Sequence, residues 1–275
     1  MKLAVLADIH ANLPALEAVT DHLEAWQPDY VIVAGDIVNR GPRPQACLDF
    51  VQQKQTASGW RTVRGNHEDY VINQANPCSQ IQRELQRFTY WTYQKLDGCI
   101  EPLQAMPFQQ NLAAPDESEI RVVHASMLGN RIGIFPKMSD EQLRERVSPP
   151  TPLFCVGHTH WPLIRRIDQT LVVNVGAVGL PFDRDTRAAY AQLTWCPSGW
   201  HAEIIRLDYD RKRAEQDFYE TGFLNEGGPA ARIILDELRS ARSHLYSWTH
   251  RYQEPILAGE ITISQAVEQF LAELS

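Results

Sequence analysis

The amino-terminal segment LAVLADIHAN changes character abruptly after its first five residues. Leu3 to Ala7 form an unbroken apolar run, which is typical of a strand buried on both faces of a parallel sheet. Asp8 and His10 follow at once, and Asn12 can cap a helix behind them. A strand of this kind must lie in a sheet that is covered on both sides. The polar residues at the end of this strand therefore serve either the geometry of the following turn or a chemical function.

Apolar runs that end in Asp, Asn or His recur four more times along the chain. A single ending of this kind indicates no more than a helix cap or a hydrogen-bonded core histidine. However, five of the nine histidines belong to these segments, and in α/β sheets the carboxyl ends of strands border the ligand crevice. Imidazole, carboxylate and amide ligands together suit transition metals such as Mn, Fe, Zn or Ni. The segments are DIH (8–10), GDIVNRGP (35–42), RGNHE (64–68), VHAS (123–126) and GHTH (157–160).

The order of the elements predicts an α/β fold. Apolar strands alternate with helical patterns up to about residue 70, which favours parallel strands with helical crossovers. From 120 to 207 short β-runs follow one another with a single helix between them, which begins at Ser139 with Gln142 as its capping partner. We therefore predict a four-layer α-β-β-α sandwich of two mixed sheets packed face to face.

Two segments of the chain have helical patterns and lie outside this sandwich. The first, 71–107, is predicted to be a helical insertion, and the second, 208–275, a helical C-terminal extension packed on the same domain, which spans 1–207. The extension is expected to serve mainly in packing, whereas the insertion could equally shape the substrate site. Apolar residues of the insertion recur at helical spacing: Ile81, Leu85, Phe88 and Trp91.

Composition narrows the range of partners and locations. The net charge of −8 opposes broad binding to nucleic acids or acidic membranes, because the field of the protein repels polyanions. Five scattered cysteines suggest neither a disulfide framework nor a zinc site. The first apolar run is too short for a signal peptide. We expect a cytoplasmic protein with no stable nucleic-acid binding and no membrane binding, and a homodimer remains open.

The polar segments, in this order, resemble the motifs of the calcineurin-like metallophosphoesterases: DxH, GDxxxRG, GNHE, a later single His and GHxH. The stretch NVGAVGLPFD, which begins at Asn174, further resembles the small bacterial YfcE-like phosphodiesterases, although Ala177 stands where those proteins carry Ser. The resemblance covers residues 1 to 207. It implies a metallo-dependent phosphatase-like fold and a dinuclear metal-dependent phosphoesterase.

The resemblance also implies a set of metal ligands. Two divalent transition-metal ions would share Asp36, with Mn favoured and Fe, Zn or Ni also acceptable. A hydroxide between the ions would attack the phosphorus of a small phosphodiester, nucleotide or phosphomonoester. One ion would be held by Asp8, His10, Asp36 and His160, and the other by Asp36, Asn66, His124 and His158.

Four more residues receive roles from the same motifs. His67 is expected to protonate the leaving group, and Arg40 and Arg64 to bind phosphate oxygens. Asn39 stands where the Ser/Thr protein phosphatases carry an Asp that orients this histidine. An uncharged partner stabilises protonated His67 less, which disfavours a protein phosphatase.

The sequence leaves two more functions open. The segment GDIVNRGP also resembles the symmetrical diadenosine tetraphosphatases, which makes a dinucleoside polyphosphate hydrolase the nearest competing function. A non-catalytic scaffold of the same fold is the competing function from a different class. The presence of every ligand, and of His67, argues against the scaffold.

Overall fold

A computed structural model describes residues 1–76 and 78–274 and contains two five-stranded mixed sheets packed face to face. The predicted fold class is therefore confirmed. In spatial order, the first sheet consists of β10 (Gly199–Leu207), β9 (Ala188–Cys196), β1 (Lys2–Leu6), β2 (Tyr30–Val33) and β3 (Arg61–Thr62). The second sheet consists of β4 (Gln109–Ala113), β5 (Glu119–Val123), β6 (Leu153–Val156), β8 (Thr170–Asn174) and β7 (Leu163–Ile167).

Each sheet has a parallel part with antiparallel strands beside it. β1, β2 and β3 run parallel, and β9 and β10 form a hairpin that pairs antiparallel with β1. In the second sheet β5, β6 and β8 are parallel, with β4 and β7 antiparallel at the two edges. These two edge strands were not predicted. Both contain polar residues at several positions, because an edge strand is not buried on every side.

Alternation along β1 shows how the four layers form. Leu3 and Val5 point between the two sheets, whereas Ala4 and Leu6 pack against the outer helices. These helices are α1 (Leu13–Trp26), which is capped by the side chain of Asn12, and α2 (Pro44–Ser58). The outer face of the second sheet is covered by α7 (Asp140–Val147), whose cap is Ser139 with Gln142 as predicted.

The segment after β3 is helical, but it is not one continuous amphipathic stripe. The α4 helix ends at Leu85 and α5 begins at Arg87, and Ile81 is exposed while Phe88 and Trp91 are buried. The four apolar residues at helical spacing thus lie on two short helices, and of the four only Phe88 and Trp91 are buried. The helices are α3 (Asn66–Ile72), α4 (Gln80–Leu85), α5 (Arg87–Lys95) and α6 (Glu101–Gln104).

The C-terminal helices share a core with this insertion. Trp91 of the insertion contacts Phe223, and Phe182, which follows β8, belongs to the same buried cluster as Trp248. These elements are α8 (Arg211–Glu220), α9 (Phe223–Glu226), α10 (Ala231–Ser240), α11 (Leu245–Leu257) and α12 (Ile263–Leu274). None of the described helices has both the length and the apolar character needed to cross a membrane.

Candidate metal centre

The predicted metal ligands all follow strands of the two sheets and meet at one edge of the sandwich. In the first sheet, Asp8 and His10 follow β1, Asp36 follows β2, and Asn66 follows β3. In the second sheet, the ligands come after β5 and β6. Because the parallel strands of both sheets point to the same edge, the seven side chains converge there. From the second sheet they are His124, His158 and His160.

The first group of ligand atoms combines two carboxylates and two imidazoles. Asp8, His10, Asp36 and His160 are buried, and one ligand atom from each lies within 4.8 Å of all the others. The two imidazoles approach each other at 3.2 Å between their Nε2 atoms. His160 Nε2 lies 3.4 Å from Asp8 Oδ1, and His10 Nε2 lies 3.8 Å from Asp36 Oδ2. This is the first predicted ligand set, assembled from three separate loops.

The second group shares Asp36 with the first. His124 Nε2 lies 3.3 Å from Asp36 Oδ2 and 3.2 Å from Nδ1 of His158. The amide oxygen of Asn66 lies 2.8 Å from each of these two ring nitrogens. The structure therefore places all four predicted members of this set together, with one carboxylate common to both groups.

Two carboxylate oxygens in these groups lack the hydrogen bonds that burial normally requires. Asp8 Oδ1 and Asp36 Oδ2 are buried and have no hydrogen-bond partner among the described residues. Their other oxygens are bound by backbone amides: His158 N donates to Asp8 Oδ2 at 2.8 Å, and His67 N donates to Asp36 Oδ1 at 2.9 Å. Because an unpaired buried carboxylate oxygen is costly, these two atoms fit divalent cations in both groups.

Carbonyl groups orient three of the imidazoles. Nδ1 of His124 lies 2.8 Å from Ala34 O, and Nδ1 of His10 lies 3.2 Å from Asn39 O. His160 makes the same contact with the carbonyl of Leu180. Since a carbonyl only accepts, the proton resides on Nδ1, and Nε2 is directed toward the ligand group.

Positive φ angles are concentrated in the loops that carry the predicted site residues. Fourteen non-glycine residues in the described chain have a positive φ, and seven of them are predicted site residues. Positive φ is disfavoured for residues with a side chain, and such strain concentrates at functional sites. The seven are Asp8, His10, Asp36, Asn39, Arg40, His158 and His160.

Two glycines allow the loops to approach one another. A Cβ atom on Gly65 would lie 2.1 Å from Asp36 Oδ1, and one on Gly157 would lie 2.6 Å from Asp8 Oδ2. Any larger residue at either position would displace a carboxylate of the ligand groups. The glycines in RGNHE and GHTH are therefore part of the construction of the centre.

Glu68 is a residue of the centre that sequence reasoning missed. Its buried carboxylate accepts backbone N–H bonds from Asp36, Ile37 and Gly65, each at 2.8 Å, and so fixes the loop that carries the shared ligand. Burial, together with the nearby carboxylate of Asp36, raises the pKa of Glu68 to about 7. The only sequence signal was its place in the GNHE motif beside His67.

His67 lies beside the first ligand group, with its ring in edge contact with that of His10 at 4.8 Å between centroids. Asn39 Nδ2 donates to His67 Nδ1 at 3.0 Å, while Asn39 Oδ1 accepts from the backbone amide of Arg40 at 2.9 Å. Thr89 of α5 also accepts from Asn39 Nδ2. The amide thus leaves Nε2 of His67 as the nitrogen that carries the proton.

The predicted arginines have different surroundings. Arg40 is buried, borders the cavity above the ligand groups, and pairs with Glu237 of α10. Arg64 instead pairs with Asp69 at 3.2 Å, and the structure does not place it in the lining of that cavity. Its predicted contact with phosphate is not supported, because Asp69 holds the guanidinium elsewhere. Arg131 borders the cavity instead, with its guanidinium 4.8 Å from the ring of Tyr70.

Comparison with known proteins identifies the family. Residues 1–196 match the model of the calcineurin-like phosphoesterase superfamily domain, which covers most of the chain. The chain belongs to the calcineurin-like phosphoesterase superfamily. It is therefore a metal-dependent phosphoesterase, as the sequence predicts, and the superfamily is one whose sites are dinuclear.

Individual relatives agree with this assignment. An uncharacterized protein of Methanocaldococcus jannaschii is 25% identical over 232 residues, which cover 77% of this chain and 89% of the relative. The phosphodiesterase YfcE of Escherichia coli is 24% identical over 187 residues, which cover 66% of this chain and 81% of YfcE. The predicted likeness to the YfcE-like branch is thus confirmed.

Solved structures show the same fold. A metallophosphoesterase from Sphaerobacter thermophilus has a TM-score of 0.70 and 27% identity, with 88% of this chain and 100% of that chain covered. A hypothetical protein from Pyrococcus horikoshii also has a TM-score of 0.70, with 22% identity and coverage of 82% and 98%. Both similarities extend beyond the matched domain into the C-terminal region.

Above its metal centre the phosphoesterase has a large cavity of about 1070 Å³. Asp36, Asn66, His67, His158 and His160 border it on the side of the metal centre. The other walls come from the helical insertion, from the loop around Arg131, from the segments after β6 and β8, and from the C-terminal helix α11. Aromatic side chains on these walls include Tyr70, Phe135, Trp161, Phe182, Tyr246 and Trp248.

The histidines of the phosphoesterase differ in their protonation when no metal is bound. Burial alone would disfavour the charged form of His124, but the carboxylates of Asp36 and Asp8 outweigh it and raise the pKa of this imidazole to about 10. Burial and the charge on His124 lower the pKa of His158 to about 3. Burial likewise lowers the pKa of His67 to about 3. One imidazolium and one shared carboxylate therefore face each other in the second ligand group.

Proposed function

We propose that this enzyme hydrolyses a phosphodiester whose organic groups are about the size of a nucleotide. The observation that carries the proposal is the pair of unpartnered, buried carboxylate oxygens beside converging imidazoles, at one side of a cavity of about 1070 Å³. Ligand pockets for small molecules range up to about 1,000 Å³, so this cavity can hold more than a phosphate group. Similarity to a protein named as a phosphodiesterase supports a diester over a monoester.

The two ligand groups are proposed to hold one divalent transition-metal ion each, with Mn favoured. Mixed imidazole, carboxylate and amide ligands accept several such ions, including Fe, Zn and Ni. Bound ions would supply Lewis acidity and make water nucleophilic near neutral pH. The ligands of the first ion are Asp8, His10, Asp36 and His160, and those of the second are Asp36, Asn66, His124 and His158.

His67 is proposed to protonate the leaving oxygen. Its Nε2 carries the proton, since Nδ1 accepts from Asn39, and the ring borders the cavity. Proton transfer requires the imidazolium, and a bound phosphate anion would raise the pKa of His67 from its low value in the free protein. Arg40 and Arg131 are proposed to contact the phosphate oxygens, with Arg131 in the role that the sequence assigned to Arg64.

A dinucleoside polyphosphate is the second candidate substrate. The size of the cavity and its aromatic walls favour it, because two bases could stack on different side chains. We propose that the enzyme acts in the cytoplasm on such small phosphorylated compounds. The net charge of −8 opposes stable binding to nucleic acids.

The experiment is a turnover assay on metal-stripped protein reloaded with Mn, Fe, Zn or Ni. Substrates are bis(p-nitrophenyl) phosphate, p-nitrophenyl phosphate, cyclic nucleotides and a dinucleoside tetraphosphate. We expect diester hydrolysis that depends on the ion and that is lost in Asp36→Asn, which removes the shared ligand. Turnover that persists in Asp36→Asn at the wild-type rate would refute the proposed centre. Exclusive hydrolysis of the monoester would refute the proposed substrate class.

A further inference from the structure

We propose that Glu237, in the C-terminal helix α10, is a positioning residue for the substrate-binding Arg40. This inference rests on the proposed function, in which Arg40 contacts a phosphate oxygen. The two residues are 197 positions apart in sequence, and Glu237 lies beyond the matched family domain, which ends at residue 196. The inference gives the C-terminal extension a part in substrate binding, beyond the packing role that the sequence predicts.

The carboxylate of Glu237 is fully buried, and both of its oxygens accept hydrogen bonds. Oε2 accepts from Arg40 Nη2 at 2.5 Å. Oε1 accepts from the backbone N–H groups of His244 and Leu245, each at 2.8 Å. Leu245 begins α11, and its side chain borders the cavity. A single side chain thus holds the guanidinium of Arg40 and the first turn of α11, both of which border the cavity.

Arg40 is restrained on a second side and keeps a free donor. Its guanidinium lies 5.3 Å from the ring of Phe182, and that ring stacks on the imidazole of His160 at 4.2 Å between centroids. The guanidinium is therefore fixed relative to a predicted metal ligand. Nε of Arg40 is buried and has no hydrogen-bond partner among the described residues. The residue itself borders the cavity, where a fixed guanidinium can bind an anionic oxygen.

Stability alone explains this buried pair poorly. Arg40 is 9% exposed and Glu237 0% exposed, so both charges have lost most of their hydration. The attraction within a buried ion pair often fails to exceed that loss, and apolar residues of similar volume are then equally stable or better. What a buried pair does provide is a fixed orientation. For an arginine that borders the substrate cavity, orientation is the property that binding needs.

The protein contains a matched pair that separates positioning from packing. Asp217 of α8 is buried and accepts two hydrogen bonds from Arg43, through Nε at 2.9 Å and Nη2 at 2.5 Å. This pair also joins the C-terminal helices to the loop after β2, only three residues from Arg40. However, the cavity lining in the described part of the chain does not include Arg43.

The test compares Glu237→Gln with Asp217→Asn in the metal-loaded enzyme. A Gln side chain keeps the volume, but its NH₂ group must face either Arg40 or the two backbone amides, all of which are donors. We expect Glu237→Gln to lower kcat/KM for the diester by about 10- to 100-fold, mainly through a higher KM. In Arg40→Ala, adding Glu237→Gln should cause no further loss. Asp217→Asn should lower Tm without changing KM. Equal KM values in wild type and Glu237→Gln, or the same rise in both single variants, would overturn the inference.

A second measurement keeps this inference separate from the proposed function. Binding of inorganic phosphate to the metal-loaded protein is followed by the phosphate-dependent rise in Tm. We expect wild type and Asp217→Asn to show this rise, and Glu237→Gln and Arg40→Ala to show a much smaller one. This result would support the inference even if no diester were hydrolysed, in which case only the proposed substrate class would fail. No rise in wild type, or the same rise in all four proteins, would overturn it.

Discussion

Metal binding by this phosphoesterase should be strongly coupled to pH through His124. In the metal-free protein the pKa of this imidazole is raised to about 10, because the attraction of Asp36 and Asp8 exceeds the cost of burial. An imidazole must lose its proton before it can bind a metal. At pH 7, which is about three pH units below this pKa, removing the proton costs about 4 kcal/mol. This cost lowers the binding free energy of the second ion. We therefore expect the affinity for that ion to rise about tenfold per pH unit between about pH 7 and pH 9.

Two measurements check this expectation. Isothermal titration of the metal-stripped protein over this pH range gives the slope, and the ¹⁵N chemical shifts of the imidazoles give the protonation states directly. His158 is the internal control, because its lowered pKa keeps it neutral in the spectrum in which His124 is charged. A flat pH dependence, or a His124 ring that is neutral at pH 7.5, would refute the reasoning.

The raised pKa of His124 also makes the stability of the metal-free protein depend on pH. A raised pKa in the folded state means that folding favours the protonated imidazole. The stabilisation from His124 is thus fully present below its unfolded pKa of about 6.5. It is lost as pH rises through about 10. Metal loading should remove this dependence, since the imidazole then binds an ion instead of a proton.

Three further predictions concern single substitutions. Glu68→Gln should lower the free energy of unfolding by about 2–5 kcal/mol and weaken metal binding, because its NH₂ group faces backbone donors. The exposed Glu145→Gln is the control in urea unfolding, and equal values for the two variants would contradict this. Asn39→Asp should raise the pKa of His67 and shift the alkaline limb of the pH–rate profile to higher pH, whereas an unmoved limb would argue against His67 as the proton donor. Phe223→Ala should cost about 3–5 kcal/mol in the same unfolding assay, against little change for the exposed Tyr219→Ala, and similar losses for both would show that the C-terminal core is not tightly packed.

The ligands of the metal centre could be predicted from the sequence because they share one kind of position, at the carboxyl end of a strand. Asp8, Asp36 and His124 each follow an apolar strand, and strand ends of parallel sheets meet at one edge. The rule needs only local patterns and the topology that they imply. It places the ligands without any knowledge of how the helices pack.

Contacts between distant segments were beyond the reach of that rule. Arg64 stands next to the GNHE motif, but Asp69 on α3 holds its side chain away from the cavity. Arg131 borders the cavity, although its loop shows no motif. The partner of Arg40 lies on α10, and nothing in the local sequence near Glu237 indicates it. Side-chain pairing across the tertiary structure decided each of these cases.

The distribution of the ligands along the chain has a consequence for folding. His10 and His160, whose ring nitrogens are 3.2 Å apart, are separated by 150 positions, and each ligand group takes members from both sheets. Contacts of such long range form late, because the entropy of closing large loops must be lost first. A nascent chain can offer only fragments of the site, such as the pair in DIH. High-affinity metal uptake can therefore begin only when the two sheets have docked. A molecule that holds its ions would thus be one that has finished folding.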